Sequence, residues 1–154
     1  MRSPFAIAAA ALTLGLFTVP ALAPAAFADQ TQHSIHASLK LGTAAVGFVE
    51  DIHAEGPNIY AQEIYQLNGA KPSTTYQVTL NIWKGTDCTS SPALQAITDN
   101  NLTTNTAGNG KGQATFTLSA ASATGLRNGT RGVIWTVSGS GVTYQTDCTA
   151  VTLD

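Results

Sequence analysis

Thr75-Tyr76-Gln77-Val78-Thr79-Leu80-Asn81-Ile82 alternates without a break: Tyr76, Val78, Leu80 and Ile82 share one parity and polar residues hold the other. Period two is the pattern of a strand with one buried face, because successive side chains point to opposite sides of the pleat. Other stretches repeat it. Residues 34–41 put Ile35, Ala37, Leu39 and Leu41 on one side, 113–118 put Ala114, Phe116 and Leu118 inward, and 132–137 do the same with Val133, Trp135 and Val137. Residues 44–52 and 61–67 read as further strands, the second without a clear inner face. The last stretch, 142–153, begins on the parity of Val142 and Tyr144 and ends on that of Val151 and Leu153. That change predicts a bulge or bend near Cys148.

Between these runs lie Asn68-Gly69, Asn128-Gly129 and Ser138-Gly139-Ser140-Gly141, pairs that tolerate the positive φ of tight turns. Only 91–98 and 120–126 are predicted as helical turns. About seven short strands at this spacing predict an all-β, antiparallel sandwich. At 154 residues the chain has the length of one domain.

The N-terminus is different. Arg2 precedes an apolar run over 5–19, and Ala26-Phe27-Ala28 closes the segment with small residues. This is the layout of a cleavable signal peptide, residues 1–28, with the folded domain over 29–154. No second hydrophobic span follows, so the expected product is secreted or held in the cell envelope without a transmembrane anchor. In 29–154, twenty threonines outnumber fifteen charged residues, a composition suited to half-buried pleated surfaces. Charged residues are 10% of the whole chain and the net charge is −2. A nucleic-acid partner is therefore not expected, since binding one needs a basic patch.

Two cysteines, Cys88 and Cys148, are too few for a disulfide-dense scaffold. In an exported chain they are expected to pair. The closed loop of about 60 residues would stabilise the fold by roughly 4 kcal/mol in a chain-entropy treatment.

Gly69-Ala70-Lys71-Pro72-Ser73-Thr74-Thr75-Tyr76-Gln77-Val78 resembles the tyrosine corner of fibronectin type III and other immunoglobulin-like domains, including exported domains of bacterial type. In that motif the buried Tyr76 hydroxyl would bond to backbone a few residues upstream, in a loop stiffened by Pro72. The resemblance implies an immunoglobulin-like antiparallel β-sandwich. Ala70 stands where the motif has Leu, and 78 residues follow Tyr76, more than a type III module has after its corner. From Gly69 onward the order of corner, cysteine, Gly-rich hairpin, late tryptophan and Asp147-Cys148-Thr149 is also similar to the apoproteins of enediyne chromoproteins, the neocarzinostatin family. That likeness implies a small-ligand carrier. The family has two disulfides, and this chain can make one.

No catalytic constellation stands out, and no enzyme is expected. Ser138-Gly139-Ser140-Gly141 lacks the strand–turn–helix setting of a nucleophile elbow. Glu50, Asp51, Glu55 and Glu63 could supply a carboxylate pair, but they read as a solvated polar face. Residues 99–112 fit neither a calcium loop nor a phosphate loop and read as a hairpin. His33, His53 and Glu55 are a weak metal set, and exposed histidines are the plainer reading. No cofactor is expected. Trp83 falls on the parity opposite to Tyr76 and Ile82. If it points outward, it would form an aromatic binding patch with Tyr60 or Tyr65. The leading expectation is thus a non-catalytic binding or structural module for an extracellular protein or glycan. The alternatives are a small-ligand carrier, which requires a deep apolar cleft, and an exported metal-binding protein.

Overall fold

The computed structural model describes residues 33–53 and 60–153. The predicted signal segment, 1–28, lies outside them. The described residues form nine strands and one short helix: β1 His33–Leu41, β2 Ala44–His53, β3 Ala61–Leu67, β4 Thr75–Ile82, β5 Leu94–Thr103, β6 Gly110–Phe116, α1 Leu118–Ala123, β7 Gly129–Gly139, β8 Val142–Gln145 and β9 Thr149–Leu153. Every pairing is antiparallel.

The strands hydrogen-bond in the order β5-β4-β7-β8-β1-β2-β3-β6, with β9 also on β7. β1 meets β8 at a single register pair, Lys40 with Gln145, beside an ion pair of Lys40 with Asp147. Two halves are therefore hinged there, β5-β4-β7-β8/β9 and β1-β2-β3-β6. At the opposite margin their edges approach. A methyl group added at Gly110 would lie 2.8 Å from the Thr103 carbonyl, and one at Gly112 would overlap the Asp99 carboxylate. The sheet is thus nearly closed and barrel-like, with the core between its halves. Leu39, Val78, Val137 and Tyr144 are buried there, as the period-two reading required, and Val49 and Leu67, whose strands had no assigned inner face, join them.

Five expectations need correction. The strand number is nine, not about seven. Residues 91–98, read as a helical turn, open the ten-residue strand β5. Asp99-Asn100-Asn101 sits inside that strand, and Asp and Asn are depleted in strands, which hid it. The irregularity expected near Cys148 is there, as a full interruption between β8 and β9 and not a bulge within one strand. Residues 99–112 are also not a hairpin, because β6 pairs with β3 while β5 pairs with β4. The loop between β5 and β6 crosses from one half to the other. Leu41, expected inward, is 50% exposed, next to the β1–β2 turn.

Tyr76 is buried, and its hydroxyl donates to the Lys71 carbonyl over 3.5 Å. The 138–141 segment is a two-residue hairpin turn with positive φ at Ser140 and Gly141, as its composition predicts.

Candidate functional site

One end of the core is hollow. A cavity of about 240 Å³ lies between the two halves. Leu80 and Ile82 of β4, Leu94 and Ala96 of β5, Val133 and Trp135 of β7, and Val151 and Leu153 of β9 line one side. Ala61 of β3, Phe116 of β6 and Ala120 and Ala121 of α1 line another. The alanines leave room where larger side chains would have met. A space with mostly apolar walls and a few converging polar groups is the usual form of a small-molecule site.

The polar groups come from two neighbouring strands. Val49, Asp51 and His53 alternate inward on β2, and Ala61, Glu63, Tyr65 and Leu67 do so on β3. The register sets Asp51 directly opposite Glu63. Both acids are inside, with 4% and 2% of their surface exposed, and His53 is similarly buried. His53 Nε2 lies 3.0 Å from Asp51 Oδ2. Asp51 Oδ1 is buried and accepts no hydrogen bond from the described residues.

Like charges across a non-polar ladder are unfavourable, and Glu63 responds by holding its proton. Burial, and then the charge of Asp51, push its pKa from the ordinary 4.5 up to about 8. Its hydrogen bonds with Tyr65 and Trp135 favour the ionised form but do not outweigh burial. Trp135 Nε1 donates to Oε1 over 2.8 Å, so that oxygen is the acceptor. The other, Oε2, is in short contact with the Tyr65 hydroxyl, which is 2.7 Å from Thr98 Oγ1. In the protonated state Oε2–H donates to Tyr65, and Tyr65 donates onward to Thr98. If Glu63 ionises, the chain reverses, each hydroxyl having one proton to give. Burial, followed by the neighbouring Glu63, pushes the Tyr65 pKa upward as well. Tyr65 therefore stays a neutral phenol.

At the margin of the cavity a row of rings runs outward. The Tyr60 ring stands edge-on to His53 at 5.2 Å, and the Arg127 guanidinium lies 5.5 Å from the Tyr60 centroid. Arg127 also donates to Ser122 Oγ.

The residues singled out in the sequence are distributed otherwise than expected. The Trp83 patch does not form. Trp83 is 7% exposed, although its parity does place it on the face away from the core. The connection from β4 to β5 covers that face. The indole donates to the Ser90 carbonyl over 2.7 Å, and Gly132 N donates to the Gly85 carbonyl over 2.6 Å. Tyr65 is wholly buried and Tyr60 half-buried beside the cavity, so these rings make no exposed surface with Trp83. Asp51 and Glu63, read as part of a solvated face, are interior strand residues. Of the weak metal set, Glu55 and the His33 side chain lie outside the described positions, and His53 faces Asp51. Among the described residues no group of three or more His, Cys, Asp or Glu side chains could hold a metal ion. Cys88 and Cys148 are joined, with a Cα–Cα distance of 5.9 Å.

Sequence reasoning missed the Asp51–Glu63–Trp135 cluster. The signal that could have found it is parity: Asp51 shares the phase of Val49, and Glu63 that of Ala61, Tyr65 and Leu67. Compared with known protein families, curated proteins and solved structures, the chain matches none. Among the described residues no helix is long and apolar enough to cross a membrane.

Proposed function

We propose that this chain is an exported, non-catalytic carrier of immunoglobulin-like fold that holds a small apolar ligand between the halves of its sheet. The cavity walled by Leu80, Ile82, Phe116, Val133 and Trp135 carries this reading. A largely apolar space of this kind accepts apolar guests. Strand order supports the fold assignment: β2-β3-β6 and β5-β4-β7-β8 follow the A-B-E and C′-C-F-G order of immunoglobulin sandwiches. The likeness to the chromoprotein apoproteins favours the same function, and the disulfide suits an oxidising compartment. The burial of Trp83 removes the aromatic patch that would have favoured docking of a protein or glycan.

The test is calorimetric titration of the purified protein with 1-methylnaphthalene. Saturable one-to-one binding is expected. Ala96→Phe, which fills the cavity from β5, should abolish binding and leave the near-ultraviolet circular dichroism in place. If the unaltered chain takes up neither this hydrocarbon nor its amine and carboxylate analogues, or the filled variant binds the hydrocarbon equally well, the carrier reading fails.

A further inference from the structure

We infer that the ligand is an apolar amine, whose protonated nitrogen seats on Asp51. This rests on the carrier reading and specifies the chemistry of its guest. Asp51 is a wall residue of the cavity, is 4% exposed, and faces Glu63 across the β2–β3 ladder. One of its oxygens meets His53 Nε2 at 3.0 Å, and the other, Oδ1, has no hydrogen-bond partner among the described residues. A buried acceptor left without a donor is costly, whereas a charge-assisted bond to it is among the stronger polar contacts. The remaining acid on this wall cannot supply the donor, because Glu63 is already tied to Trp135 and Tyr65.

The sign of the site points the same way. Its buried polar wall presents two carboxyl groups and one imidazole. A carboxylate head placed there would add a third acid to the pair, while an ammonium would pair with Asp51. The cation of the region, Arg127, stands at the margin on the Tyr60 ring and donates to Ser122. It would attract an acid to that end instead. The body of the guest then lies along Ile82, Val133 and Val151, away from the acids.

Three probes with one ring system separate the terms: 1-naphthylmethylamine, 1-methylnaphthalene and 1-naphthoate. Titrated by calorimetry near neutral pH, the amine should bind at least about tenfold more tightly than the hydrocarbon, and the acid more weakly than either. In Asp51→Asn the advantage of the amine should disappear while the hydrocarbon still binds, which also shows that the variant is folded. Equal affinity of amine and hydrocarbon, or an amine preference that survives Asp51→Asn, overturns the inference and leaves the carrier reading standing. Tightest binding by the naphthoate overturns it in favour of the Arg127 margin. Failure of all three probes removes the carrier reading and this inference together.

Discussion

The two ends of the core are built on opposite terms. At the corner end, Leu67, Val78, Val137, Tyr76 and Tyr144 fill the space, and the rings of Tyr76 and Tyr144 pack 5.7 Å apart. The loops there are stitched together by backbone bonds, Ala70 N to the Gly108 carbonyl and Thr104 N to the Thr74 carbonyl among them. Gly108 has φ +80°, and a methyl group there would overlap the Ala70 carbonyl, so its glycine is required on two counts. At the other end the same strands enclose a cavity and a buried acid pair. Both features cost stability. The corner end is held by its own packing and backbone bonds, and the hollow end, with less filling, needs help.

That help is covalent. Cys88 sits in the connection after β4, and Cys148 in the interruption before β9, so the bridge binds two segments beside the cavity. Replacing both cysteines by alanine should lower the unfolding free energy by about 4 kcal/mol, the chain-entropy value for a loop of this length. Denaturant titration measures the loss. Hydrogen exchange should accelerate at β9 and the β4–β5 connection, and the β4–β7–β8 ladders near Tyr76 should stay protected. Uniform acceleration along the chain would erase the distinction between the ends.

The acid pair gives the next largest effect. Glu63 holds its proton in the fold up to about pH 8, whereas the unfolded chain releases it near 4.5. Between those values the folded chain binds the extra proton, so stability falls as pH rises, by about 1.4 kcal/mol per unit. Over pH 5.5 to 7.5 the loss attributable to Glu63 is about 3 kcal/mol. Glu63→Gln keeps an acceptor for Trp135 and a donor for Tyr65 without the charge. Unfolding curves of the variant across that range should lack this slope. An unchanged slope would mean that Glu63 is not the group that titrates.

Much of the filled end was legible in the sequence, and little of the hollow end was. The Gly69-to-Val78 motif and the alternation of β4 and β7 are local patterns, and local patterns specify strands and turns directly. Asp51 and Glu63 obey the same alternation, but their chemistry argues for solvent, and only the pairing of β2 with β3 shows them facing each other indoors. Trp83 illustrates the converse. Its parity correctly put it on the outer face of β4, but parity carries no information about the distant chain that covers that face. The cavity is less legible still, because it is defined by side chains that stop short on seven strands and a helix.

The smallest effect tests the part of the comparison that the motif makes look most important. In a tyrosine corner the hydroxyl is the signature, yet here Tyr76 reaches the Lys71 carbonyl over 3.5 Å, a long bond. Thr104 Oγ1 already donates to that carbonyl over 2.7 Å, while accepting from Thr74 N over 3.0 Å. The threonine thus satisfies two buried backbone groups at once, and the phenol adds a weak second donor to one of them. Thr104→Val should therefore cost about 2 kcal/mol, leaving Thr74 N–H without an acceptor, whereas Tyr76→Phe should cost about 0.5 kcal/mol or less. Denaturant unfolding of the two single variants and the double variant measures both. A larger loss for Tyr76→Phe would return the corner to its tyrosine. The expected order would show that a threonine from β5's end, unremarked by the motif, holds the corner loop against the filled core.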